Sequence, residues 1–327
     1  MCVNCDFELS LLLDGDKFEE LFSKCYCGDG YLEADNSGYL DHTLSEKGLK
    51  IRYRDSQYKK KVVLTVNAIK LTDGAPADSE KLIKKLEKLI EKYFKSEYTL
   101  EDFKLCRFCL STTINIGDRK SVAAYLKVIK RIGRVKGFST VAFDLFEKDA
   151  GFYLQGNSNG VEFLIYDLEQ IAKKQLLDFE EKANISGSDV YKCKGIIQTE
   201  VHLTKQKAIR KYTAAYSTED QIIELSKRSK TIFMETFARI IPYGDFYKKD
   251  EAISILRQEV NDEVTKRKML RLISLIPKKK SLHLAQKEMA YRHPDDLLVE
   301  FAKINLSPVT ISKRQDVKCL KNLYEYL

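Results

Sequence analysis

The sequence predicts an α+β fold: an antiparallel or mixed sheet with helices on one face, followed by a smaller all-helical C-terminal domain. Three observations carry this. Segments in which apolar and polar residues alternate recur through the first two thirds of the chain, as half-buried strands require. Two segments between them place apolar residues at i, i+3, i+4 and i+7, the pattern of one buried helix face. Beyond about Ala214 helical spacing takes over and runs to the end. A boundary near residues 212–217 therefore divides an α+β unit, 1–213, from a helical unit, 214–327.

The elements follow in order. Phe7-Glu8-Leu9-Ser10-Leu11 alternates as a strand, and Leu49-Lys50-Ile51-Arg52-Tyr53-Arg54 does the same. Lys61 to Val66 is the hairpin partner of the second, across the turn-forming Asp55-Ser56-Gln57-Tyr58. Asp78 or Ser79 caps a helix with Leu82, Ile83, Leu86, Leu89, Ile90, Tyr93 and Phe94 inward. A strand spans Lys104 to Ile116. Asp118 then caps a helix that buries Val122, Tyr125, Leu126, Ile129 and Ile132 and stops at Gly133. Gly151 to Gln155 and Val161 to Tyr166 flank the turn Gly156-Asn157-Ser158-Asn159-Gly160, and Asn-Gly between alternating runs is a strong hairpin signal. A helix from about Leu168 to Phe179 and a strand from Gly195 to Leu203 complete the unit. From Leu49 on, the order reads β–β–α–β–α–β–β–α–β, which suits helices on one side of a sheet. Ser217-Thr218-Glu219-Asp220 opens the helical part with a capping-box-like start. Its helices are expected to break at Pro242, Pro277, Pro294 and Pro308.

Composition bounds the function. At 327 residues, 44% hydrophobic and 32% charged, the chain reads as globular. No run approaches the roughly 18 apolar residues of a membrane span. Met1 to Glu8 is acidic where a signal peptide would be basic, so a cytoplasmic location is expected. The eight cysteines include Cys2–Cys5, Cys25–Cys27 and Cys106–Cys109, but not two knuckles at zinc-site separation, and reduced thiols are expected. Residues 1–204 hold 31 Lys and Arg against 32 Asp and Glu, whereas 205–327 hold 25 against 16. The whole positive excess lies in the last third, which points to a polyanion partner.

Phe152 to Asp167, followed some thirty residues later by Ile196-Ile197-Gln198-Thr199-Glu200-Val201-His202-Leu203, resembles the replication initiation factor family of plasmids, conjugative transposons and filamentous phages. That family has a hairpin ending in a pattern like R-x-Y-[DE]-K-x-x-E, a helix, then a strand like R-x-E-[IV]-x-L. Leu105-Cys106-Arg107-Phe108-Cys109-Leu110 stands where it reads T-R-[IV]-D-[FL]. The resemblance covers about residues 45–212. It implies a rolling-circle initiator that binds an origin and nicks and rejoins one strand through a phosphotyrosine. A tyrosine that stores the phosphodiester bond covalently allows rejoining, which hydrolysis would forbid. By the resemblance, Tyr166 is the nucleophile. Glu200, with Asp167 nearby, would serve a Mg²⁺ or Mn²⁺ ion that orients the phosphate. Glu169 could assist. Origin DNA is the implied partner, with a host helicase and a homodimer as further expectations.

The sequence also departs from the pattern. Cys109 and Thr113 stand where the family has acids, Leu168 replaces the lysine after Y-D, and Gln198 replaces the arginine before the strand glutamate. A thiol is a poor ligand for a hard ion. Asp118 or Asp144 could substitute, or the chain could be a non-catalytic DNA-binding relative, such as a copy-control or transcriptional regulator. His42, His202, His283 and His293 form no His-hydrophobic-His pair, and no P-loop, G-x-S-x-G or H-E-x-x-H occurs. Arg52, Arg54, Lys59, Lys60, Lys61, Arg107, Arg134, Lys136, Lys205, Lys207 and Arg210 interleave with aromatic residues, as a phosphate-tracking groove requires.

Overall fold

The computed structural model describes residues 1–23, 31–32, 37–39, 44, 47–56, 59–72, 79–94, 97–142, 150–178, 187–291 and 293–327. Its centre is an antiparallel sheet. In sequence the strands are β1 (Asn4–Leu13), β2 (Tyr31–Leu32), β3 (Ser37–Tyr39), β4 (Leu49–Ser56), β5 (Lys59–Asn67), β6 (Lys104–Asn115), β7 (Phe138–Thr140), β8 (Gly151–Gly156), β9 (Val161–Asp167) and β10 (Ile196–Leu203). In space they run β2-β3-β4-β5-β1-β6-β10-β9-β8-β7. Every described pairing in this sheet is antiparallel, so the mixed alternative is set aside.

Alternation gives the sheet two unlike faces, because successive strand side chains point to opposite sides. Phe7, Leu9, Ile51, Leu64, Phe108, Leu110, Phe163, Ile165, Ile197 and Val201 are buried on one face. Phe7 stacks on Phe108 at 6.2 Å. Asp6, Glu8, Arg52, Thr65, Arg107, Cys109, Glu162, Tyr166, Glu200 and His202 occupy the other.

The helices assemble on the apolar face. They are α1 (Gly15–Phe22), the single turn α2 (Ala68–Leu71), α3 (Ser79–Phe94), α4 (Arg119–Ile129), α5 (Leu168–Asp178), α6 (Gly187–Lys192) and α7 (Gln206–Tyr212). In the last third they are α8 (Thr218–Lys227), α9 (Ser229–Ile240), α10 (Lys249–Glu259), α11 (Glu263–Lys279), α12 (Leu282–Met289) and α13 (Pro294–Lys303). Helix α3 buries Leu82, Ile83, Leu86, Ile90 and Phe94. The Asp118 carboxylate accepts from Ser121 N at the start of α4, and Ser217 Oγ accepts from Asp220 N at the start of α8, as capping chemistry predicts. Asp78 and the turn residues Gln57 and Tyr58 lie outside the described residues. Helix α1, with its Asp14 cap, had no counterpart in the predicted elements.

The C-terminal helices share the hydrophobic core of the sheet. Phe163 of β9 meets Phe237 of α9 edge-on at 6.1 Å, and the chain end returns so that Tyr125 OH donates to Lys321 O at 2.7 Å. A two-stranded ladder, β11 (Phe246–Tyr247) with β12 (Cys319–Leu320), interrupts an otherwise helical region. Pro277 does not break a helix. It sits in the last turn of α11, which forgoes one backbone bond there and ends two residues later at Lys279. Pro294 opens α13 at its first turn, where no N–H is needed. No helix among the described residues is long and apolar enough to cross a membrane.

Candidate active site

Tyr166 and Glu200 reach one another because register and parity agree. In the β9–β10 ladder Tyr166 lies opposite Gln198, Leu164 opposite Glu200 and Glu162 opposite His202. In β6, Ser111 lies opposite Glu200 and Cys109 opposite His202, and Asp6 of β1 is opposite Cys109 in turn. Residues two apart on a strand share a face, so Gln198, Glu200 and His202 form one row across which the neighbours' side chains meet.

Those side chains form a continuous chain of contacts. Tyr166 OH donates to Glu200 Oε1 at 2.5 Å, and His202 Nε2 lies 2.7 Å from Glu200 Oε2. The other imidazole nitrogen, Nδ1, is 2.8 Å from Arg107 Nη2 and 3.6 Å from Glu162 Oε2. Glu162 Oε1 also accepts from Gln155 Nε2 at 3.2 Å. Four groups thus link a guanidinium to a phenol through an imidazole and a carboxylate. The His202 side chain is only 8% exposed, so solvent screens these contacts weakly.

The electrostatics follow from that geometry. Burial, together with the Glu200 charge, pushes the Tyr166 phenol well above the ordinary tyrosine range. Burial works against the charge on Glu200, yet the donors His202 and Tyr166 hold its carboxyl below the usual range. On His202 burial favours the neutral ring, while Glu162 and Glu200 favour the cation. The Arg107 contact needs Nδ1 as an acceptor, whereas the cation would turn Nδ1–H toward Glu162. Two carboxylates against one guanidinium settle the direction upward. Asp6 is pushed up to about 6 by burial, with Glu200 adding to it. Its Oδ1 has no hydrogen-bond partner among the described residues, and Asn67 Nδ2 donates to its Oδ2 at 3.2 Å.

No family model matches the sequence, and no curated protein matches it. Among solved structures, the chain is similar to a rolling circle replication initiator protein from Geobacillus stearothermophilus, with a TM-score of 0.31 and 11% identity, over 95% of this chain and 98% of that one.

The predicted site residues fall into distinct groups. Tyr166, Glu200 and Arg107 come together. Asp167 does not join them: one residue along from Tyr166, it points to the opposite face. There its Oδ1 accepts from Glu169 N at 3.0 Å and Gln170 N at 3.3 Å, which makes it the cap of α5. Glu169 is also committed elsewhere, ion-paired with Arg119 and with Lys173 at 2.8 Å, and Arg119 ahead of Lys173 holds its carboxyl down at about 2. Asp118 caps α4, and Asp144 lies outside the described residues. Glu162, His202, Asp6 and Glu8, whose Oε1 lies 3.7 Å from Arg107 Nη1, were missed as site residues. Their parity with Glu200 along the strands was the available signal, but which strands lie side by side is not visible in a single sequence.

This donor set does not fit a hard divalent ion. Both Glu200 oxygens are engaged, and Asp167 is on the far face. Burial pushes the Cys109 thiol up to about 12, so it is a neutral thiol rather than a ligand anion. Among the described residues no three His, Cys, Asp or Glu side chains converge as a metal site.

The remaining basic residues fall into four places. Arg52, Arg54, Lys59 and Lys61 share the polar face on β4 and β5, where Arg54 pairs in register with Lys61. Lys60 faces the other way: it sits 5.1 Å above the Phe18 ring and pairs with Glu19 at 2.5 Å. Lys205, Lys207 and Arg210 are exposed around the start of α7, and Arg134 and Lys136 are exposed just before β7.

Proposed function

We propose that this chain is a DNA strand-transfer protein of the rolling-circle initiator kind, with Tyr166 as nucleophile and Glu200 as its base. The observation that carries the reading is the hydrogen bond from Tyr166 OH to Glu200 Oε1, on a carboxylate held from its other side by His202. A nucleophile bonded to a base that a third group orients is the arrangement covalent catalysis needs.

In the proposed step the phenolic proton passes to Glu200 as Tyr166 Oη bonds to phosphorus. The bond from phosphorus to the leaving sugar oxygen breaks, and that oxygen takes a proton from solvent, to which Glu200 returns its own. Rejoining runs the same steps backwards. His202 and Glu162 keep Glu200 aimed at the phenol, and Arg107 supplies fixed positive charge on this face. The basic rows of β4 and β5 offer phosphate contacts that set register along the strand.

The test uses a supercoiled plasmid carrying the gene for this chain with its flanking sequence. Nicked circles and a protein–DNA adduct that survives denaturing electrophoresis support the reading, and both should vanish in Tyr166→Phe. Salt-sensitive binding to the same DNA without any adduct would instead favour the second reading, a non-catalytic DNA-binding relative, which Cys109 and Thr113 in place of acids motivate.

A further inference from the structure

Away from the Tyr166 cluster, a cleft of about 960 Å³ opens between the segment leading into β7 and the C-terminal helices α9, α12 and α13. Its lining is rich in cations. Arg134, Lys136, Arg239 and Lys287 all border it, and Asp295 and Asp296, in the first turn of α13, are the acids among its lining residues. Two of the cations are fixed in place. Arg134 Nε donates to Phe138 O at 3.3 Å. Arg239 Nη2 donates to Lys136 O at 2.8 Å while its guanidinium lies 5.1 Å over the Phe138 ring. Each arginine thus uses one N–H on backbone and keeps the rest of its fork. The other two cations are exposed, and neither the Lys136 nor the Lys287 ammonium makes an ion pair among the described residues. On the cleft wall, Gln286 Nε2 is buried with no hydrogen-bond partner among the described residues, an unspent donor.

The cleft also presents flat surfaces. Tyr291 and His283 line it beside the cations, and the Lys268 ammonium covers one face of the Tyr291 ring at 4.5 Å from its centroid. Fixed guanidinium groups, unpaired ammonium groups, an unspent amide donor and ring faces are what a single nucleic-acid strand requires. Phosphates take the charges, bases stack, and base edges accept hydrogen bonds. A cleft of this volume holds a few nucleotides and is too small to admit a duplex about 20 Å across. The concentration of positive charge in residues 205–327, which supply α9, α12 and α13, agrees with an anionic occupant.

We propose that this cleft is a second nucleic-acid site that binds a short segment of single-stranded DNA through Arg134, Lys136, Arg239 and Lys287. It lies beside the edge strand β7, two strands from the β9 that carries Tyr166, and does not depend on the chemistry there.

The experiment measures anisotropy of a fluorescent single-stranded oligonucleotide of mixed sequence, on the full chain carrying Tyr166→Phe so that no adduct interferes. Lys136→Glu combined with Lys287→Glu, both at exposed positions, should weaken binding about tenfold. The salt dependence should fall as well, by about 0.7 in log–log slope for each phosphate no longer neutralised. An oligonucleotide bearing 4-thiothymidine should photo-cross-link to the peptide containing Tyr291. Unchanged affinity in the double variant, with cross-links only elsewhere, would overturn the proposal. So would a duplex competing better than the single strand, or thymidine monophosphate competing as well as the oligonucleotide. Melting curves of the variants confirm that they fold. Because the readout is binding, its failure leaves the Tyr166 reading standing, and failure of nicking leaves this site standing.

Discussion

Tyr166 and Asp167 are neighbours in sequence and belong to different parts of the molecule. Tyr166 faces the polar side of the sheet, where Glu200, His202, Glu162 and Arg107 form a linked cluster. Asp167 faces the helical side, where it caps α5 and stands beside the Arg119–Glu169–Lys173 ion pairs. Both clusters are half-buried and charged, yet their construction differs. In the Asp167 cluster burial raises the Asp167 carboxyl too, but both its oxygens accept hydrogen bonds from the start of α5 and Glu169 meets two cations, so the cluster fastens a helix to the sheet. In the Tyr166 cluster carboxylates outnumber cations, Asp6 keeps a buried oxygen with no partner among the described residues, and the phenol is raised. Frustrated charge of that kind is tolerated where chemistry or binding uses it.

The largest effect separates the two clusters outright. Tyr166→Phe should abolish adduct formation while the protein still melts cooperatively, whereas Asp167→Ala, which removes the cap of α5, should lower the melting temperature and leave the adduct. Next, His202→Gln should lower the rate of adduct formation about a hundredfold, the scale of misplacing a general base. A full-rate His202→Gln enzyme would remove the imidazole from the mechanism.

Glu169→Gln should cost about 2 kcal/mol of unfolding free energy, because a buried carboxylate loses its charge to two cations, Arg119 and Lys173. The sign of its pH dependence is fixed. The folded carboxyl is held at about 2 against an ordinary 4.5, so its stabilisation is present above 4.5 and lost as pH falls toward 2. Denaturant titrations of parent and variant should therefore converge at the acid end. The smallest effect has the opposite sign. Asp6 is raised to about 6, so its ionised form opposes folding above that pH. Asp6→Asn should stabilise the protein by about 1 kcal/mol at neutral pH and change little at pH 4. A destabilised variant at neutral pH would show that the Asp6 charge is compensated.

Much of the fold was legible because alternation and helical period are local. The strand at Phe7–Leu11, the 151–166 hairpin and the caps at Asp118 and Ser217 all rest on residues within a few positions of each other. Alternation also contained the answer for Asp167: a residue adjacent to Tyr166 on a strand cannot share its face. What lay beyond a single sequence was register between strands distant in the chain. His202 meets Arg107, 95 positions away, only because β10 pairs with β6. Helix α1 was passed over because its eight residues are too few for a periodic signal to stand out. Lys60 was grouped with its neighbours as a DNA contact, although period two sends it to the Phe18 side.

The central claim is that Tyr166 carries the transferred strand. The direct measurement is mass spectrometry of the protease-digested adduct, formed on the plasmid carrying this chain's own gene and trimmed by nuclease. The account predicts a nucleotide remnant on the peptide containing Tyr166 and none in Tyr166→Phe. A remnant on any other tyrosine, or an adduct that persists in that variant, would contradict it.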